Sequence, residues 1–210
     1  MAQFFAVHPT HPQGRLVRRA AEIVRGGGLI AYPTDSCYAL GCLSSATGSL
    51  ERLRRIRDID ERHHLTLMCR DISEIANYAI VDDARFRLIK RVTPGSYTFL
   101  LRATRELPRR LLHPKRKTIG VRVPAHAVAL ALLAELDQPM LSATLILPGD
   151  AQPLADAQEI RTRLEHDLHL VIDAGSCGTE PSTVIDLTAE TPLVLRKGKG
   201  SLEPFAVEPV

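Results

Sequence analysis

The chain has 210 residues, 45% of them hydrophobic and 24% charged, with a net charge of +3; that is enough for one domain with a sizeable core and little more. Nothing approaches the roughly 18 uncharged apolar residues of a membrane span. Residues 1–19 lack the basic start, apolar stretch and cleavage site of a secretion signal, so a cytoplasmic protein with no membrane partner is expected.

The apolar spacing predicts a helix over residues 10–25, with Leu16, Ala20, Ile23 and Val24 inward and Gly26-Gly27-Gly28 as its stop. A buried strand over 29–32 ends at Pro33, and the polar loop Thr34-Asp35-Ser36 leads into a strand over 38–43. A helix over 47–57 turns Leu50, Leu53 and Ile56 inward. A strand follows at 65–69, then helices at 73–78 and 83–91, a turn at Pro94-Gly95 and a strand at 97–103. Pro108 and Pro114 make the next segment loop. A strand at 118–123, a helix at 125–136, a strand at 140–145 and a polar helix at 155–167 come after it. Strands at 170–173, 183–187 and 193–195 finish the chain. With no helix between them they are expected to pair antiparallel, giving a mixed sheet. Residues 1–210 thus form one α/β domain with a core over about 10–200 and a loosely ordered tail over 201–210.

Charge is unevenly spread. Between Arg102 and Arg122 eight basic residues face one acid, Glu106, which makes +7 there and leaves −4 for the rest. Such a segment suits an anion-facing role. The nine aromatic residues, none of them Trp, argue against base stacking on single strands and favour shape and phosphate recognition. Cys37, Cys42, Cys69 and Cys177 are scattered without a C-x-x-C pair, and no compact Cys/His cluster suggests a metal. Phosphate-loop, dinucleotide, nucleophile-elbow and zinc-protease motifs are all missing. Polar residues instead gather at strand ends, where α/β proteins place ligands. Thr34 and Asp35 follow one strand, and this pair alone could be a capping turn. Thr118, Gly120 and Arg122 share one strand face, and Arg122 there needs either an internal carboxylate or an anionic ligand.

Several motifs occur in a fixed order: Pro33-Thr-Asp-Ser-Cys-Tyr-Ala-Leu-Gly41, Arg55-x-Arg57, Pro94-Gly-Ser-Tyr-Thr98, Thr118-Ile-Gly-Val-Arg-Val-Pro124, Ser182-Thr-Val-Ile-Asp-Leu-Thr188 and Val194-Leu-Arg-Lys-Gly198. Together they resemble the YrdC/YciO family, its YciO branch in particular. The resemblance implies a twisted sheet around a large electropositive cleft. It implies synthesis of threonylcarbamoyl-adenylate from L-threonine, bicarbonate and ATP, with Mg²⁺ arriving on the ATP, for tRNA modification. Members are also described as double-stranded RNA binders and translation factors. Carried over by position, Thr34, Arg122 and Ser182 would hold L-threonine or another small acid. Arg55, Arg57, His63, Thr118, Ser142, Thr144 and Arg196 would face the nucleotide. A basic rim of Arg105, Arg109, Arg110, Lys115, Arg116 and Lys117 would meet double-stranded RNA or tRNA. No covalent nucleophile is implied. Two departures stand out: Arg55 takes a position that synthases fill with Lys, and Thr144-Leu-Ile-Leu-Pro-Gly149 takes the place of Ser-Ala-Asn-x-Ser-Gly. Ile146 and Pro148 thereby remove an amide and a hydroxyl, worth about 1–3 kcal/mol each where buried against the nucleotide.

Overall fold

The computed structural model of the chain describes residues 1–60, 62–108, 111, 112, 115 and 117–205, and its first element is one the apolar pattern does not announce. Strand β1 (Gln3–Ala6) pairs in parallel with a strand near the other end of the chain. Four half-exposed residues are too few to display alternation. Helix α1 (Gly14–Arg25) starts four residues later than expected. Residues 8–13 are instead held as a turn, in which the Gln13 side chain accepts from the His8 N–H at 3.0 Å. Its buried stripe is Val17, Ala20, Ala21 and Val24, and the glycines stop it: Gly27 takes φ +86°, and a Cβ on Gly28 would lie 2.7 Å from the Ile23 carbonyl oxygen.

The following elements are β2 (Ile30–Tyr32), β3 (Ala39–Cys42), α2 (Thr47–Arg57), β4 (Thr66–Met68), α3 (Ile72–Tyr78) and α4 (Asp83–Val92). Then come β5 (Tyr97–Arg102), β6 (Thr118–Arg122), α5 (Ala127–Leu136), β7 (Met140–Thr144), α6 (Ala157–Leu164), β8 (Leu170–Asp173), β9 (Thr183–Asp186) and β10 (Leu193–Arg196). Asp71, Asp82 and Asp156 cap α3, α4 and α6, each accepting a backbone N–H three residues on at 2.8 Å.

All ten strands join one mixed sheet in the order β1-β8-β2-β3-β7-β4-β6-β5-β9-β10. The expected antiparallel run of the last three strands holds only for β9 and β10. β8 lies between β1 and β2, parallel to both, and β9 lies parallel to β5 near the far edge. Residues 174–182 therefore carry the chain past six intervening strands. On a flat sheet that path, seven spacings of ~4.8 Å, would be about 34 Å, as long as ten fully extended residues can reach. Because the segment also bends at Gly175, where φ is +88°, the sheet must curl to bring its ends closer.

The curl gives the sheet two unlike faces. One face packs throughout: Phe99 and Leu101 of β5, Ile119 and Val121 of β6 and Leu141 of β7 meet Leu53 of α2, Ile75 of α3, Ile89 of α4 and Ile160 of α6. On the other, α1 and α5 cover only part of the sheet, burying Ile30, Tyr32, Met140, Leu170 and Ile172. The alternate residues of β5, β6 and β7 on that side remain for a cavity. The tail is ordered further than expected: Glu203–Phe205 form a single 3₁₀ turn, and Phe205 packs its ring 5.6 Å from Tyr97 and 6.3 Å from Phe99. An aromatic anchor offsets the entropy of ordering a terminus; residues 206–210 lie outside the described residues. Among the described residues no helix is long and apolar enough to cross a membrane.

Replacing Phe205 by alanine is expected to cost about 3 kcal/mol, measured as a lower urea midpoint at unchanged slope. An unchanged midpoint would show that the terminal turn adds nothing to the core.

Candidate functional site

The uncovered face holds a cavity of about 370 Å³. Alternation along β5 turns Phe99 and Leu101 into the core and Thr98 and Leu100 into the cavity. In the same way β7 presents Ser142 and Thr144, and β6 presents Arg122. The end of α2 and the loop after it supply Arg57, Arg62, His63 and His64, the crossing segment supplies Pro181 and Ser182, and β10 supplies Arg196. The described lining residues include four arginines and no carboxylate.

The loop after β2 is built by its own side chains. Thr34 Oγ1 donates to the Cys37 carbonyl at 2.7 Å and accepts from the backbone N–H groups of Ser36 and Cys37. The capping turn and the cavity-facing position are therefore the same feature. The buried hydroxyls at the floor are partnered, Thr98 with Ser182 at 2.8 Å and Ser142 with Tyr32 at 2.8 Å, and beneath the lining Thr118 is partnered with His64 Nε2 at 2.9 Å.

Arg122, 6% exposed, found the internal carboxylate. Its Nη2 donates to Asp35 Oδ1 at 2.7 Å and its Nη1 to Ser36 Oγ at 3.0 Å. Asp35 also accepts from the Ala125 N–H at 3.0 Å and from Ser96 Oγ at 2.5 Å, and its carbonyl accepts from Lys199. Burial opposes ionisation of Asp35, but Arg122 and the hydrogen bonds from Ser96 and Arg122 outweigh it and hold the carboxyl below its ordinary value.

Among the described residues Arg57 and Arg196 have no such partner. Arg57 donates to the Ile146 carbonyl, and Arg196 Nε and Nη2 donate to the Ser182 carbonyl at 3.2 and 2.9 Å. Burial lowers the affinity of both guanidiniums for their proton; the charge of Arg196 adds to this at Arg57, and that of Arg122 at Arg196. Both stay charged at neutral pH. His63 is desolvated on its cavity side, though exposed overall. That burial, with the charges of Arg57 and Arg196, keeps its imidazole below its ordinary value.

Of the expected site residues, Thr34, Arg57, His63, Arg122, Ser142, Thr144, Ser182 and Arg196 come together in this lining. Thr118 does not reach it and sits behind His64. Arg55 is a correction: 71% exposed, it pairs with Asp167 at 3.0 Å, away from the cavity. Residues two apart on a helix point about 200° apart, and here Arg57 alone of the two faces the cavity. Of the expected rim, Arg105, Lys115 and Lys117 are exposed and outside the lining, while Arg109, Arg110 and Arg116 lie outside the described residues. Ser36, Arg62, His64 and Thr98 were given no role and belong to the lining. For Thr98 the sign was a hydroxyl set between aromatics on a strand. For Ser36 it was the turn motif itself.

The geometry agrees with comparisons to known proteins. The family model for Sua5, YciO and YrdC proteins, described as telomere recombination, matches residues 22–198. The YciO protein of Escherichia coli K12 is 54% identical over 205 residues, which is 98% of this chain and 100% of that protein. Its crystal structure superposes with a TM-score of 0.95 over the same shares of both chains. A threonylcarbamoyl-AMP synthase of Chromobacterium violaceum is 34% identical over 189 residues, 90% of this chain and 96% of its own length. The crystal structure of Pyrococcus abyssi Sua5 complexed with L-threonine gives a TM-score of 0.87 at 27% identity, covering 95% of this chain and 58% of that one. By the breadth of these matches and the shared mixed sheet, the chain belongs to the Sua5/YciO/YrdC family, which includes threonylcarbamoyl-AMP synthases.

Proposed function

We propose that the cavity holds a small amino acid beside a nucleoside triphosphate and joins them through bicarbonate, the chemistry of a threonylcarbamoyl-AMP synthase. The observation that carries this reading is the division of the lining. Arg57 and Arg196, cations without a carboxylate among the described lining residues, stand next to a recess of hydroxyls from Thr34, Ser36, Thr98 and Ser182. The amine nitrogen adds to the carbon of CO₂ released from bicarbonate and loses a proton, forming a carbamate. A carbamate oxygen then attacks the α-phosphorus as the bond to the β-phosphate breaks, and pyrophosphate leaves. No enzyme nucleophile takes part. The protein's work is alignment and neutralisation of charge growing on the phosphate oxygens, for which guanidiniums are suited. Mg²⁺ enters on the triphosphate, its usual mode where protein carboxylates are few.

The rewritten wall leaves part of this apparatus in place. Ile146 lines the cavity, but it is its backbone carbonyl that receives Arg57, a contact that survives any side chain there. The lost amide and hydroxyl reduce nucleotide affinity rather than remove the cation that faces it. A second reading, binding of double-stranded RNA, is favoured by the exposure of Arg105, Lys115 and Lys117. Both readings can hold in one molecule.

Purified protein is expected to release pyrophosphate from ATP only when L-threonine and bicarbonate are both present, and Arg196→Ala to slow this on the order of 10²-fold. Release that never rises above background would sink the synthase reading. Calorimetry of ATP binding in buffers of different ionisation enthalpy checks the site of the phosphates. Phosphate beside Arg57 and Arg196 raises the depressed imidazole of His63, so the wild type takes up more proton near pH 6 than His63→Gln, and its affinity gains as pH falls. Equal proton uptake by the two proteins places the triphosphate elsewhere. Binding of a double-stranded RNA should fall steeply with salt, and joint replacement of Lys115, Arg116 and Lys117 should flatten that slope.

A further inference from the structure

The cations of this cavity differ in whether their charge is already cancelled. Arg57 and Arg196 donate to carbonyl oxygens, and among the described residues neither is in an ion pair. Arg122 is in one: its side chain is 8% exposed and that of its partner Asp35 11%. The carboxylate accepts from Arg122 and Ala125 at Oδ1 and from Ser96 at Oδ2. It bears on a ligand through Arg122 and through its field. Arg122 gives one N–H of Nη1 to Ser36 and one of Nη2 to Asp35, which leaves a second N–H on each, while its buried Nε has no partner among the described residues. The recess formed by Thr34, Ser36, Ser182 and Arg122 thus offers hydrogen-bond donors around a formally neutral pair, whereas the Arg57–Arg196 side keeps its two positive charges.

We propose that Asp35 is a specificity-determining positioning residue: by cancelling the charge of Arg122 and fixing its orientation, it makes this recess select a zwitterionic α-amino acid over a plain carboxylate or a phosphate. The inference rests on the reading that the cavity takes a small amino acid and a nucleotide. A monoanion entering beside the pair gains the donors of Arg122, but the repulsion of Asp35 offsets the attraction of the guanidinium, at short range and away from water. A zwitterion presents the same carboxylate with an ammonium that offsets that repulsion. The two halves of the cavity then sort their ligands by net charge, because binding a phosphate in the neutral half is penalised while the Arg57–Arg196 half remains attractive to it. Loss of Asp35 would turn Arg122 into an ordinary anion-binding cation within this recess.

The test is calorimetric titration of the full chain with L-threonine, with 3-hydroxybutyrate (the same skeleton without the amine), with inorganic phosphate and with ATP. Wild type and Asp35→Asn are compared. The asparagine keeps the shape and removes the charge, so the preference for threonine over 3-hydroxybutyrate is expected to shrink about tenfold. Threonine should bind more weakly and 3-hydroxybutyrate more tightly, with ATP affinity within about twofold of wild type. A merely structural role would weaken all ligands together. A folded Asp35→Asn protein with an unchanged preference overturns the inference while leaving the synthase reading standing. Should the variant fail to fold, the wild type decides: binding of 3-hydroxybutyrate as tight as that of threonine, or displacement of threonine by inorganic phosphate at similar concentration, overturns it. Wild-type protein that binds neither threonine nor ATP takes down both readings together.

Discussion

A carboxylate and a guanidinium that leave water together need partners inside the protein, and Asp35 and Arg122 draw four stretches of chain to one point. The loop after β2 brings the carboxylate, the end of β6 brings the guanidinium and the Ala125 N–H, the turn before β5 brings Ser96, and the segment after β10 brings Lys199. The desolvation cost of such a pair is commonly as large as its Coulombic gain, so it is weak evidence of net stability. What it contributes is definition. Strand ends far apart in sequence can lie on one cavity wall only if something holds them in register there, and an ion pair hydrogen-bonded from several sides tolerates little displacement.

The remaining polar groups of the cavity are arranged on the same terms. Strands usually turn apolar residues to a packed face and polar ones to water, but β5, β6 and β7 turn hydroxyls and a cation to a concave face that neither α1 nor α5 covers. Thr98, Thr118 and Ser142 are nearly as buried as the core around them, and each is tied to a second side chain from a different element. The cavity is therefore a stiff polar surface whose groups are already oriented, which is what a reaction without an enzyme nucleophile demands of its container.

Most elements were legible because their physics is local. Helix α2 matched the residues expected of it, since Leu50, Leu53 and Ile56 mark a face at helical spacing. β2 and β3 stood out as short apolar runs ended by Pro33 and by polar turns. Long-range pairing was not legible. Nothing in residues 170–196 distinguishes a strand that pairs with its successor from one that crosses to the other end of the sheet, and β1 is visible only once β8 is in place beside it. At the site, ordered motifs pointed to much of the lining, but Arg55, carried over with its motif from the family resemblance, turns to Asp167 instead. Asp35 was left without a role because a carboxylate in a turn so often serves only the turn.

The crossing segment of residues 174–182 sets a condition on traffic as well as on shape. Tyr38 Oη donates to the Gly175 carbonyl at 2.9 Å, the Cys177 N–H donates to Ala155 at 3.1 Å, and Ser182 closes onto Thr98. The segment is thus a taut cord fastened along its length, and flattening the sheet would have to stretch it beyond what its residues can span. A ligand cannot enter by the sheet spreading open. The exposed residues of the lining lie on the loop that carries Arg62 and His63 and on β10 at Leu195 and Arg196, so a ligand from solvent meets these side chains before the buried hydroxyls.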